Sequence, residues 1–235
     1  MGRLLFMHIH KTGGTSVTRV LDANFAPHEI CPHNTDHQIH AADAAELARY
    51  RFFRGHISPP VLRAKIGEFR TVTFLRDPAE RLWSAYRAWV NHGIHRRHLV
   101  PKLMHKIAAM TFDEFLTSPE TAPCSDNVQY KLLNGGRYGL TNEERICVYC
   151  EQPKLEQFAF IGRFERIDCD LTALCETLGF PAPAAIPWAN RGNGEPRPHS
   201  EFLAPRIAQD EGIMRTHHPS RSFQQHHPAS YRHCG

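Results

Sequence analysis

The sequence lacks a long hydrophobic run. None of its 235 residues fall in an apolar stretch of about 18 or more, so no transmembrane segment is expected. The apolar core of its first ten residues is also too short for a secretory signal. Strong charge of either sign is missing too. The 28 Lys+Arg stand against 24 Asp+Glu, a formal net charge of +4. So weak an excess speaks against a bulk polyanion binder, and no nucleic-acid partner is expected. Any anion site has to be built locally. An even cysteine framework is absent as well. The seven Cys are scattered, which suits reduced thiols and a cytoplasmic setting better than a disulfide scaffold. No internal repeat occurs. What remains is an ordinary globular balance, 41% hydrophobic and 10% aromatic, with an unusual 17 His. That composition excludes disordered, collagen-like and coiled-coil chains.

The first half alternates strand and helix patterns. Leu4 to Ile9 is a short apolar run, and Thr15 to Ala23 follows with Val17, Val20 and Leu21 on one helical face. Ala41 to Tyr50 is Ala-rich and helix-prone. Arg51 to Arg54 and Thr71 to Leu75 read as strands, the second β-branched and the clearer of the two. Asp77, Pro78 and Glu80 form the start of a helix, with a cap, a first-turn proline and a capping-box glutamate. Thr111 to Leu116, Asp126 to Leu133 and Asp168 to Leu178 are further helices, and Phe158 to Gly162 a further strand. This order predicts an α/β fold with three layers: a central parallel sheet flanked by helices, and a P-loop-like strand–loop–helix. Residues 1–189 are read as that α/β domain. From Asn190 to Gly235 the chain carries five Pro, six Arg and six His, and residues 190–235 are read as an irregular tail.

Two segments carry chemistry. Lys11-Thr12-Gly13-Gly14-Thr15-Ser16 lies between a strand and a helix. There, loop amides and the positive helix end converge on one spot suited to a phosphate. Lys11 precedes the glycines, so the order is not that of a nucleoside-triphosphate P-loop. The second segment runs from Leu75-Arg76-Asp77-Pro78 to Tyr86. Arg76 ends a strand, where open α/β sheets take ligands. Ser84 lies two helical turns on, and the pair could hold a second phosphate.

Together the two segments resemble the PAPS-dependent sulfotransferases of the carbohydrate type (sulfotransferase family 2), which include the heparan-sulfate O-sulfotransferases and bacterial relatives. Lys11 to Ser16 matches the family's 5′-phosphosulfate loop and Arg76 to Tyr86 its 3′-phosphate helix. Weaker likenesses are Asp126-Asn127-Val128-Gln129 and Phe160-Ile161-Gly162-Arg163-Phe164-Glu165-Arg166. The resemblance implies PAPS as co-substrate, no required metal, and a carbohydrate or other small-molecule acceptor. It implies that Lys11, Thr12, Gly13, Gly14, Thr15, Ser16, Arg76 and Ser84 bind the donor. Lys11 would steady the leaving phosphate.

The acceptor hydroxyl needs a base, and His56, in Arg54-Gly55-His56 after a strand, is the candidate among the 17 His. His8 reads as a structural histidine, and His10 as one placed to touch the donor. The basic stretch His92, His95, Arg96, Arg97 and His98 reads as a solvated loop or an entrance for an anionic acceptor. Cys147-x-x-Cys150 reads as free thiols rather than half a zinc site. Two alternatives stay open: a P-loop-like small-molecule kinase, and a degenerate PAP(S)-binding protein without activity.

Overall fold

The computed structural model describes residues 2–95, 102–136, 155–185 and 196–216. Cys147, Cys150, Arg96, Arg97 and His98 lie outside the described residues. The strands are β1 (Leu4–Met7), β2 (Phe52–Gly55), β3 (Arg70–Leu75) and β4 (Phe160–Arg163). Between β1 and β2 come α1 (Gly14–Asp22), α2 (Asp36–Ala41) and α3 (Ala44–Leu47), and α4 (Pro59–Ile66) precedes β3. After β3 follow α5 (Pro78–His95), α6 (Lys102–Ile107), α7 (Phe112–Thr117), α8 (Ala122–Ser125) and α9 (Val128–Leu133). The helices α10 (Ile167–Leu178) and α11 (Leu203–Thr216) follow β4.

The four strands form one parallel sheet in the order β2-β1-β3-β4. Its residues alternate between two buried faces, as the two-residue period of a strand requires. Leu4, Phe6, Phe52, Val72 and Phe74 pack with Val17 and Leu21 of α1 and Leu171 and Leu174 of α10. Leu5, Met7, Phe53 and Leu75 pack on the other face with Ile39, Leu62, Val128 and Leu132. Each such large apolar side chain contributes about 1.5–3 kcal/mol on burial. The expected three-layer α/β sandwich is present. A further apolar cluster joins α5, α7 and α11 through Leu82, Trp89, Phe115, Leu203 and Ile207. Among the described residues no helix is long and apolar enough to cross a membrane.

The sequence reading needs two local corrections. The Ala41–Tyr50 segment is not one helix: Asp43 starts a new one by accepting from the Ala45 amide at 2.6 Å. The other concerns the region expected to be irregular, which contains α11 with Leu203, Ile207, Asp210 and Ile213 buried. The Pro59-Pro60 segment, not assigned from the sequence, opens α4, since proline is tolerated where first-turn amides have no helical partner. Residues 217–235 lie outside the described residues.

The chain leaves β1 toward β2 on one side, then returns to β3 on the other. The ends of β1 and β3 therefore flank the switch point where parallel sheets open a crevice.

Candidate active site

The loop after β1 is shaped by local rules. Lys11 has φ +70 and Gly13 φ +81, two left-handed residues that turn the chain into α1. The first hydrogen-bonded amides of α1 belong to Ser16 and Val17, both on the Gly13 carbonyl. The preceding loop amides form the positive mouth of that helix. Gly14 has no room for a side chain: a Cβ there would lie 1.9 Å from His8 Nε2. Thr12, expected as a hydroxyl donor to phosphate, is buried and donates to the Ile9 carbonyl at 2.8 Å. It braces the turn. Thr15 is exposed at the helix mouth, while Ser16 is buried.

Arg76 follows the last residue of β3. Its Nη1 donates to the Lys11 carbonyl at 3.2 Å, and its guanidinium lies 4.5 Å over the Phe164 ring. That ring also abuts Gly13, where an added Cβ would come 2.8 Å from it. Phe164 thus touches both the loop after β1 and the start of the β3–α5 segment. The Arg76 main chain is held by Gln129, whose Oε1 accepts from the Arg76 amide and whose Nε2 donates to the Arg76 carbonyl, both at 2.9 Å. Burial works against the Arg76 charge, and the carboxylates of Glu165, Glu80 and Asp77 support it.

Asp77 caps α5 as expected, its Oδ1 accepting from the Glu80 amide at 2.9 Å. The reciprocal half of the expected capping box differs: the Asp77 amide donates to Glu165 Oε1 at 2.7 Å, and Glu80 pairs with Arg197. Ser84 stands half-buried two turns into α5. Arg81, on the same helix, is 1% exposed. Lys11 is half-buried, and burial lowers its pKa, with Arg76 and Arg87 adding to the effect.

His56 follows β2. Its Nδ1 lies 2.7 Å from the His8 carbonyl. A carbonyl only accepts, so Nδ1 carries the proton and Nε2 presents a lone pair. The ring stacks on His10 with centroids 3.7 Å apart, and on His8 at 4.8 Å. Burial holds His56 below its ordinary pKa, while the bond to the His8 carbonyl works the other way. His8 is pushed down to about 3 and His10 well below normal, each by burial first, then by the neighbouring His56, and less by Lys11. All three imidazoles are neutral near pH 7. Gly55, at φ +135, cannot take a side chain, because a Cβ would meet the Asn34 carbonyl at 2.2 Å. The neighbouring Asp36 carboxylate holds both the amide and the hydroxyl of Ser58, at 2.7 and 2.9 Å.

The structure therefore brings Lys11 and Arg76 into contact and sets His56 against the residue preceding Lys11. Two helix mouths and two cations suit a ligand with two anionic groups, and a neutral imidazole beside them suits proton removal. Sequence reasoning assigned no role to Gln129, Phe164 or Glu165, although it singled out the segments that contain them. It left Arg81 and Arg87 without a role too. Among the described residues no group of His, Cys, Asp and Glu side chains is arranged to hold a metal ion.

A family model described as "Sulfotransferase family" matches residues 2–195. A solved structure of a sulfotransferase from Alicyclobacillus acidocaldarius is similar at 13% identity and a TM-score of 0.45, over 92% of this chain and 96% of that one. No curated protein matches the chain.

Proposed function

The chain belongs to the sulfotransferase family, and from that premise we propose that it moves a sulfuryl group from PAPS to a hydroxyl of a carbohydrate or other small acceptor. The observation that carries this reading is the Arg76–Lys11 contact at the switch point of the sheet. The guanidinium of one motif reaches the main chain of the other there, near enough for the two charges to act on each other, and each motif sits beside a helix mouth, as a donor with two phosphates requires. When bound, PAPS supplies an activated sulfur whose leaving group is a phosphate oxygen.

The chain's own residues divide the work. The Gly13–Thr15 amides and the Thr15 hydroxyl hold the 5′-phosphate. Arg76 and Ser84 hold the 3′-phosphate, the feature that separates PAPS from ATP. His56 Nε2 takes the acceptor proton as the acceptor oxygen bonds to sulfur and the sulfur–phosphate bond breaks. The electron pair of that bond passes to the phosphate, where the Lys11 ammonium steadies the growing charge. Protein cations meet the charge demand in this scheme, and no metal is assigned a role. A cytoplasmic place of work accompanies this reading.

Thermal unfolding with and without 3′-phosphoadenosine 5′-phosphate (PAP) tests the proposal, together with transfer of labelled sulfate from PAPS to a panel of glycans. Wild-type protein should be stabilised by PAP, Arg76→Ala should lose that effect, and Lys11→Ala, whose charge acts on the leaving phosphate during transfer, should keep most of it. Absence of any shift in the wild type overturns the reading. Binding without transfer points to an inactive PAP(S)-binding protein. Protection by Mg²⁺-ATP instead points to a kinase, which would need an acidic metal ligand at a strand end; there Asp77 is engaged as a helix cap.

A further inference from the structure

We infer that Gln129 is a positioning residue for the 3′-phosphate site, acting through the main chain of Arg76; this rests on the donor reading above. The last paired residue of β3 is Leu75, opposite Arg163. One residue later the ladder has ended, yet the Arg76 amide and carbonyl are both satisfied by one primary amide, that of Gln129. A primary amide offers a donor and an acceptor side by side, as a peptide group does. Gln129 therefore extends the sheet by one residue with a side chain. It fixes where the Arg76 Cα sits and hence where the guanidinium leaves the main chain.

Gln129 is itself held from behind. It is 1% exposed. Asn127, at φ 44, turns the chain into α9. Its main-chain amide donates to the Arg206 carbonyl at 2.7 Å, and its side-chain oxygen accepts from the amides of Gln209 and Asp210. Asp210 Oδ1 in turn accepts from the Tyr130 amide at 2.7 Å, next to Gln129. Helix α11 thus sets the register of the segment that sets Arg76. The Arg76 guanidinium gives one hydrogen bond to Lys11 and rests on Phe164. Those two contacts, together with the held main chain behind them, set the direction of its other N–H groups. A side chain with one amide bond missing would free the Arg76 carbonyl to rotate and displace that fork, and small displacements cost large factors in affinity.

The test compares two ligands on the intact chain, PAP and AMP, which differ by the 3′-phosphate alone. Gln129→Met keeps the volume and removes both bonds. Gln129→Asn keeps the amide on a side chain too short to span both partners. Binding is read by calorimetry, with circular dichroism and melting confirming the fold. The expected result is PAP binding weakened about tenfold in Gln129→Met, with AMP affinity changed less than about twofold. The PAP preference then falls toward that of Arg76→Ala, and the double variant adds little. Equal weakening of both ligands means general loosening and overturns the inference, as does an unchanged ratio. If Gln129→Met does not fold, the ratio in Gln129→Asn decides on the same terms. Failure of the donor reading looks different, because the wild type itself would then show no preference for PAP.

Discussion

The imidazole of His56 is stacked on that of His10, centroids 3.7 Å apart and planes 22° from parallel. The acceptor base of the proposed reaction is therefore not an isolated loop histidine. It faces His8 and His10 from β1 and its extension, with Lys11 and Arg81 as the cations acting on those two rings.

The first prediction concerns the pH profile. Burial lowers the His56 pKa, so the base stays neutral below the ordinary histidine value of about 6.5. The kcat/KM for sulfate transfer should hold level from pH 7 through about 6.5 and decline only below it. His10→Ala uncovers the ring while leaving the His8 carbonyl bond, and should move the acidic limb up toward the ordinary value. An unmoved limb in His10→Ala would contradict the covering role assigned to His10.

Stability should follow the same groups. His8 titrates at about 3 in the fold against about 6.5 unfolded. Between those values the unfolded chain binds more protons, so stability is full above about 6.5 and is lost progressively as pH falls toward 3. Urea midpoints at pH 7 and pH 5 measure this. His8→Phe, which keeps an aromatic ring in that position, should flatten the difference.

Gly14→Ala tests the closeness of the loop to β1. The added methyl would sit 1.9 Å from the His8 ring, and overpacking of this kind costs about 1–3 kcal/mol. The variant should melt lower and bind PAP weakly. Normal melting would show that His8 yields freely.

Lys11→Ala should lower kcat by about 10²–10³, the scale of removing one donor to developing charge. The substrate KM should change far less. A loss carried entirely in KM would make Lys11 a binding residue only.

Asp210 is buried beside α9 and feels the charge of Arg81. Asp210→Ala leaves the buried Tyr130 amide without its partner, a loss of about 1–3 kcal/mol. Asp210→Asn keeps the acceptor for Tyr130 and should lose less. Chemical denaturation of both variants ranks them.

Much of this was legible where the physics is local. Lys11 to Ser16 announces itself by glycines between an apolar strand and a helix start, and Arg76 by its place between a β-branched run and the Asp77-Pro78 cap. His56 stood out because a glycine precedes it at a strand end. The unread parts depend on distant partners. In α11 the buried positions include Asp210, so the apolar stripe is broken, and Pro205 and Gly212 weaken the helical pattern further. That helix is held by Asn127, about 80 residues earlier. Glu80 looked like the second half of a capping box because nothing in the local sequence announces that Glu165 takes the Asp77 amide.

The ring of Phe164, wedged between Gly13 and the Arg76 guanidinium, makes the cleft a gauge. A benzene ring is rigid and incompressible, so together with the Arg76–Lys11 hydrogen bond it fixes the spacing of the two segments. Under the proposed reading, two nucleotides of equal charge but different phosphate placement would differ in how well they span that spacing.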